Sequence, residues 1–302
     1  MKVFLAGASG AIGVPIVRRL VAGGHQVTAM TRSAANEPVL RALGASPVIA
    51  DALDAEAVRR VVMAARPTYV IHQLTALPKG GPRSAKELIP TNRLRIEGTK
   101  NLIAAAVAAG ATRFVAGSFA LIAGDRAGIP ADAQAAADAV QSMESQVLDA
   151  NARHLLEGVV LRYGLFYAPD NGMTQQLIAL ARRRLLPAVR GDRGLLPVIQ
   201  IEDAASATVA ALDRGIPGSV YDIVDGHPIS MSDMVRAIAE SAGAPRPIAV
   251  PAWLPRLLAP YMARMFDIRL PLSNDKARRE LGWQPKYPTI RDGLSGMLGR
   301  AA

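Results

Sequence analysis

The chain contains no cysteine, which removes disulfide frameworks, thiol nucleophiles and thiolate metal sites, and fits a reducing compartment. Histidine is nearly as scarce. His25, His72, His154 and His227 are dispersed, no two have metal-ligand spacing, and no metal centre is expected. Aromatic residues make up only 4% of the chain and no stacking motif occurs. The net charge of +10 comes mostly from scattered arginines, densest at Arg182-Arg183-Arg184. It therefore reads as a solvated face or a pocket for an anionic substrate, and no nucleic-acid partner is expected. No apolar run reaches the length of a membrane span. A strand-like run begins almost at the first residue, so no secretory leader is expected and the protein is assigned to the cytoplasm.

What the chain does have is material for a large core. Its 302 residues are 50% hydrophobic and 20% charged, which suits one large or two smaller globular domains. The organising stretch is Gly7-Ala8-Ser9-Gly10-Ala11-Ile12-Gly13, which follows the apolar run Val3-Phe4-Leu5-Ala6 and opens a helix-like run ending near Ala22. Gly7 allows a sharp turn out of the strand, Gly10 leaves room for backbone to approach a pyrophosphate, and Gly13 allows close helix–strand packing. N–H groups at the helix start, with Ser9, Ala11 and Ile12 around them, would face the phosphates. A second strand, Gln26 to Met30, follows within one βαβ length.

Short β-branched runs then alternate with longer Ala-rich ones. Strands are predicted near 2–6, 26–30, 47–50, 68–73, 113–117 and 158–162, and helices near 11–22, 36–43, 54–65, 85–109 and 133–150. This pattern predicts an α/β fold, a Rossmann-type doubly wound parallel sheet over residues 1–165. After Gly164 the rhythm breaks into isolated helices with more Pro, Gly and Arg, predicting a smaller, mostly helical C-terminal substrate lobe over 166–302. That lobe is discontinuous: within 196–224, Leu196 to Gln200 and Ser219 to Ile223 are expected to return to the first sheet. The cleft between the lobe and the strand C-termini is the expected site for a small-molecule substrate.

The ordered motifs resemble the extended short-chain dehydrogenase/reductases, the epimerase/dehydratase group. The resemblance is carried by the glycine turn, Asp51-Ala52-Leu53, Val70 to Ala76, Glu97-Gly98-Thr99-Lys100-Asn101-Leu102, Arg113-Phe114-Val115, Leu161 to Tyr167, Ile201 to Ala205 and Ser273 to Trp283. It spans nearly the whole chain and implies a nicotinamide nucleotide. At the end of the second strand, where an acidic residue would bind the ribose hydroxyls of NAD, this chain has Thr31-Arg32-Ser33. Arg32 and Ser33 can receive a 2′-phosphate, which favours NADP(H) with NAD(H) as the alternative. By resemblance Asp51 and Ala52 lie near the adenine edge, and Leu74, Thr75 and Ala76 line the inner cofactor path.

The family's acid–base relay is missing. None of the six tyrosines has a lysine four residues later, and alignment with the family puts Ala139 and Met143 where the Tyr-x-x-x-Lys pair belongs. Aligned through Gly124, Phe119 takes the place of the catalytic serine with Ser118 one position earlier, and Arg95 takes that of the asparagine. The substitutes at strand C-termini are Ser118, Tyr163 and His72: His72 has a structural reading beside the catalytic one, Ser118 reads as a contact to the nicotinamide amide or to substrate, and by resemblance backbone around Tyr163 approaches the nicotinamide. Lys79 sits on a loop after the fourth strand. The expected activity is an NADP(H)-binding oxidoreductase acting on a small, apolar, carbonyl-bearing metabolite. The alternatives are a redox-neutral isomerase, epimerase, cyclase or lyase that retains the nucleotide, and a nucleotide-responsive regulatory protein without turnover. In the second lobe, Trp253 to Leu258 and Tyr261 to Phe266 read as a lid, a homodimer surface, a membrane-surface contact or lobe core.

Overall fold

Alternating apolar side chains on short strands, with an apolar stripe on each intervening helix, dictate a sheet covered on both faces. The computed structural model describes residues 1–78, 80–123, 131–170 and 172–295. Strands β1 (Lys2–Ala6), β2 (Gln26–Thr31), β3 (Ser46–Ile49), β4 (Tyr69–His72), β5 (Arg113–Phe119) and β6 (Glu157–Tyr163), with the edge strand Val220–Ile223, form one seven-stranded sheet. Every pairing is parallel, in the order β3-β2-β1-β4-β5-β6 and then the edge strand. The order reverses at β1, so a crevice opens between the C-termini of β1 and β4, where open α/β sheets bind ligands.

One face packs Val3, Leu5, Val27, Ile71, Val115 and Leu161 against helix α1 (Gly13–Ala22). Phe4, Met30, Val70, Phe114 and Val160 point to the other face. Helices follow in order as α2 (Glu37–Ala42), α3 (Ala55–Ala65), α4 (Ile89–Arg93), α5 (Thr99–Ala108), α6 (Ala131–Ala152), α7 (Gly172–Arg182) and α8 (Ile201–Arg214). Helices α3, α5 and α6 cover the second face, while α8 joins α1 on the first through Ala204, Ala205, Ala207 and Ala211. Each Leu, Val or Ile removed from water in these layers contributes about 1.5 to 3 kcal/mol before entropy is counted.

The predicted helix over 85–109 is divided. A 3₁₀ turn, Ala85–Leu88, leads into α4, and α4 joins α5 through a π turn, Leu94–Gly98. The expectation for 196–224 is corrected in one half. Val220–Ile223 does join the sheet, but Val198–Gln200 pairs with Leu165–Tyr167 in a separate two-stranded ribbon. Gly164 is the reason: a Cβ there would lie 2.9 Å from the Pro197 backbone, so the bare glycine lets the two segments meet where the chain leaves β6.

Behind the ribbon, Tyr167, Ile178, Leu196, Val198, Met234, Ile238, Ile290 and Leu294 form a third core. The helix Trp253–Leu258 stays outside it, with Trp253, Leu257 and Leu258 exposed at 62%, 70% and 74%, which corrects the core reading of that stretch. Among the described residues, no helix is long and apolar enough to cross a membrane.

Candidate nucleotide site and active site

The glycine turn is built as close backbone packing. Gly7 has φ +88°, and a Cβ on it would lie 2.6 Å from the Gln73 carbonyl oxygen. A Cβ on Gly13 would come within 2.1 Å of the Gly7 carbonyl oxygen. Only bare backbone fits at either place. Ala8 and Ile12 are buried beneath the turn, and Gly10 and Ala11 face outward. Helix α1 begins after Ile12 with no side-chain cap and no acidic residue in its first turn. Its positive end is thus left for an anion, and the residues present fit a dinucleotide pyrophosphate.

At the end of β2, the buried Thr31 hydroxyl gathers its neighbours. It lies 3.1 Å from Ser9 Oγ and accepts from the Asn36 side-chain amide at 3.1 Å and from the Ser33 N–H at 3.3 Å. Arg32 and Ser33 are exposed above this cluster. Glu37, the nearest acid in sequence, is engaged by Arg41 at 2.6 Å. Across the crevice, exposed Asp51 accepts the Leu53 N–H at 3.0 Å, and Asn101 donates to the Ala52 carbonyl at 2.9 Å. Asp54, not Asp51, caps α3 by accepting from the Ala57 N–H. Asn36 was not singled out from sequence, and Asn101 appeared only within a family motif with no role given; Asn36 acts through a turn of irregular backbone and Asn101 through a contact 49 residues away.

The inner path runs over β4. The Ala76 N–H donates to the Thr91 hydroxyl at 2.9 Å, which fixes the partly exposed run Leu74, Thr75 and Ala76. His72 is fully enclosed. Its Nδ1 accepts the Leu74 N–H at 3.2 Å, so Nε2 carries the proton and meets the Thr99 hydroxyl at 2.8 Å. Burial first, and then the positive charge of Arg95, lowers its pKa to about 4. At neutral pH it is an uncharged, fully bonded strut, and this geometry favours the structural reading of His72.

The same holds for Tyr163. The Gln73 side chain donates to its hydroxyl at 2.9 Å, and Thr208, whose own proton goes to the Ala204 carbonyl, lies 2.8 Å away. The phenol proton is therefore directed at Thr208, and burial raises its pKa. Tyr167 is likewise buried, donating to the Thr289 carbonyl at 3.1 Å. Lys79 and Gly124 lie outside the described residues.

Ser118 ends β5 in a network that the sequence reading missed. Its hydroxyl donates to Glu144 Oε1 at 2.5 Å, and Arg162 holds the same carboxylate from Nε at 2.9 Å and Nη2 at 2.7 Å. Ser118, Arg162 and Asp222 lie in register across three strands. Glu144 comes down onto that row from α6, and the charge of Arg162 works against the burial that raises the Asp222 pKa. Ala139 and Met143, on the same helix, are completely buried. A signal was present: Val140, Glu144 and Val147 share one helical stripe, and an acid on an apolar stripe needs a buried partner.

Known proteins resemble this chain throughout its length. The sequence model of the NAD dependent epimerase/dehydratase family matches residues 3–223. The 3-diazoavenalumate denitrifying reductase of a Streptomyces species is 38% identical over 312 residues, 97% of this chain and 99% of the relative. The 2-alkyl-3-oxoalkanoate reductase of Stenotrophomonas maltophilia is 28% identical, with all of both chains covered. Among solved structures, the UDP-glucose 4-epimerase of Thermus thermophilus in complex with NAD superposes with a TM-score of 0.78 at 23% identity, covering 100% of each chain. The UDP-glucose 4-epimerase of Thermotoga maritima with UDP-glucose gives 0.79 at 19% identity, covering 99% and 98%. These two likenesses are of fold.

Proposed function

The chain belongs to the NAD dependent epimerase/dehydratase family, and from that premise we propose that it is an NADP(H)-preferring reductase of a small, apolar, carbonyl-bearing metabolite. The observation that carries the nucleotide preference is the end of β2, where exposed Arg32 and Ser33 stand above hydroxyl and amide groups and Glu37 is already paired. A 2′-phosphate would meet a guanidinium there and no repelling carboxylate. The names of the two curated relatives, both reductases, support the direction of the chemistry.

The glycine turn and the first turn of α1 would hold the pyrophosphate, Asp51 and Ala52 the adenine edge, and Leu74 to Ala76 the inner path. Bound there, the nicotinamide supplies a hydride. Ser118 gives its own proton to Glu144, so its oxygen is left to accept one, for example from the nicotinamide amide. Backbone around Tyr163 would line the same end. With the protons of His72, Tyr163 and Ser118 all committed, the proton that completes a carbonyl reduction is assigned to water. A second reading is favoured by Ala139 and Met143: a hydride delivered to a diazonium carbon would form a C–H bond as the C–N bond breaks and N2 leaves with its electron pair, with no alkoxide for a tyrosine to protonate. The name of the Streptomyces relative, a denitrifying reductase of 3-diazoavenalumate, supports that reading.

The test is a titration with NADPH, NADP⁺ and NADH, followed by nicotinamide fluorescence and by quenching of Trp253 and Trp283. NADPH is expected to bind at least about tenfold tighter than NADH, the gain of one charge-assisted contact. Tight binding of NADH without NADPH would overturn the assignment of Arg32. NADPH consumption is then measured with carbonyl and with diazo substrates.

A further inference from the structure

We propose that Arg95 is the anchor for a carboxylate on the substrate, held beside the C-terminal end of β4 on the helix face that also carries Thr91 and Thr99. The inference deepens the reductase reading and rests on it for where the nicotinamide lies.

Arg32 at the end of β2 is exposed to water, and three other arginines near the sheet have acids. Arg113 meets Glu157, Arg162 meets Glu144, and Arg93, two positions before Arg95, takes Glu97 from Nε at 3.0 Å and Nη2 at 3.1 Å on the solvent side of the helix. Arg95 is different. It is half-buried, and no acceptor among the described residues hydrogen-bonds or ion-pairs with it. Burial lowers its pKa only to about 10, so it keeps its charge near neutral pH. Its titratable neighbour, His72, is neutral and offers no counter-charge.

Its position is built. Four residues before it, Thr91 holds the Ala76 N–H, and four residues after it, Thr99 holds His72. Arg95 lies within the π turn, and the Gln146 amide on α6 donates to the Ile96 carbonyl of that turn at 3.1 Å. Wide turns of this kind recur at functional sites because they re-aim a side chain without ending the helix.

A guanidinium taken partly out of water with no anion raises the free energy of the fold, and a ligand that brings the anion recovers it. The planar fork matches a carboxylate. The pyrophosphate is not the natural partner, because its donors lie at the start of α1, which packs on the sheet face opposite to α5.

The test uses matched acids and amides: cinnamate and cinnamamide, decanoate and decanamide, 3-oxodecanoate and 3-oxodecanamide. Each is titrated by calorimetry into protein saturated with NADP⁺. At least one acid is expected to bind on the order of 100-fold tighter than its amide, as for a desolvated charge pair. Arg95→Met should erase that preference, Arg95→Lys should keep part of it, and both should retain the wild-type affinity for NADP⁺. Because the methionine removes an unpaired charge, R95M should melt no lower than the wild type. Equal binding of acids and amides, failure of every acid to bind, or a preference that survives R95M overturns the proposal. If no nicotinamide nucleotide binds, the titrations are run on the unloaded protein. An Arg95-dependent choice of acid would then stand while the reductase reading falls.

Discussion

On the β1–β2 side of the crevice the polar groups face outward: among the described residues no side chain caps the start of α1 and no acid pairs with Arg32, and Ser33 is exposed. On the β5–β6 side they face inward and satisfy one another, as Ser118 with Glu144 and Arg162, and Tyr163 with Gln73 and Thr208. The difference teaches which polar groups are available to a ligand. Groups on the open side cost little to expose and are free to bind, whereas groups on the closed side already have their protons committed, and removing one strands its partner.

Substitutions should divide along the same line. Glu144→Ala is expected to cost about 3 kcal/mol of stability, because Arg162 loses its anion in a largely buried place. A urea melt measures it, and a loss under about 1 kcal/mol would break the comparison. His72→Asn sharpens it through pH. The folded imidazole protonates only near 4 and the unfolded one near 6.5, so the unfolded state binds more protons in between. Wild-type stability contributed by His72 is full above 6.5 and lost as pH falls toward 4. Relative to the variant, which lacks this titration, the wild type should lose up to about 3 kcal/mol over that window.

Arg32→Glu, on the open side, should weaken NADPH by about 30-fold, leave NADH unweakened and hardly shift the melting temperature. A large drop in stability would mean that Arg32 is a structural residue. The smallest effect is assigned to Tyr163→Phe, about 1 kcal/mol in stability and less than about threefold in turnover, since the phenol serves Gln73 and Thr208. A loss of several hundredfold in kcat would instead put the phenol in the chemistry.

Much of the sheet was legible in the chain. The β-branched runs fall within a residue or two of β1 to β6, and the Gly7 to Gly13 spacing marks the turn at which the backbone packs. Asp54 is visible as a cap because its partner, the Ala57 N–H, is three residues away. Glu144 was passed over because its partners are Ser118 and Arg162, on two strands that no local pattern brings beneath α6. The π turn also escaped notice, since inserting one residue leaves the apolar stripe of the helix nearly intact. Val198–Gln200 has the composition of a sheet strand, and its place in the ribbon goes with a close approach of Gly164 to Pro197 that residue spacing does not show.

By itself the sequence determined what is periodic or local: the elements, the two-faced sheet, the glycine turn, and that no tyrosine has a lysine four residues later. Tertiary structure alone decided which polar side chains remain available. Gln73 reaches Tyr163 across 90 residues and His72 meets Thr99 across 27, while Arg95 meets no acid at all among the described residues. Pairing of that kind depends on distance in space and on exclusion of water, and neither is written in residue spacing.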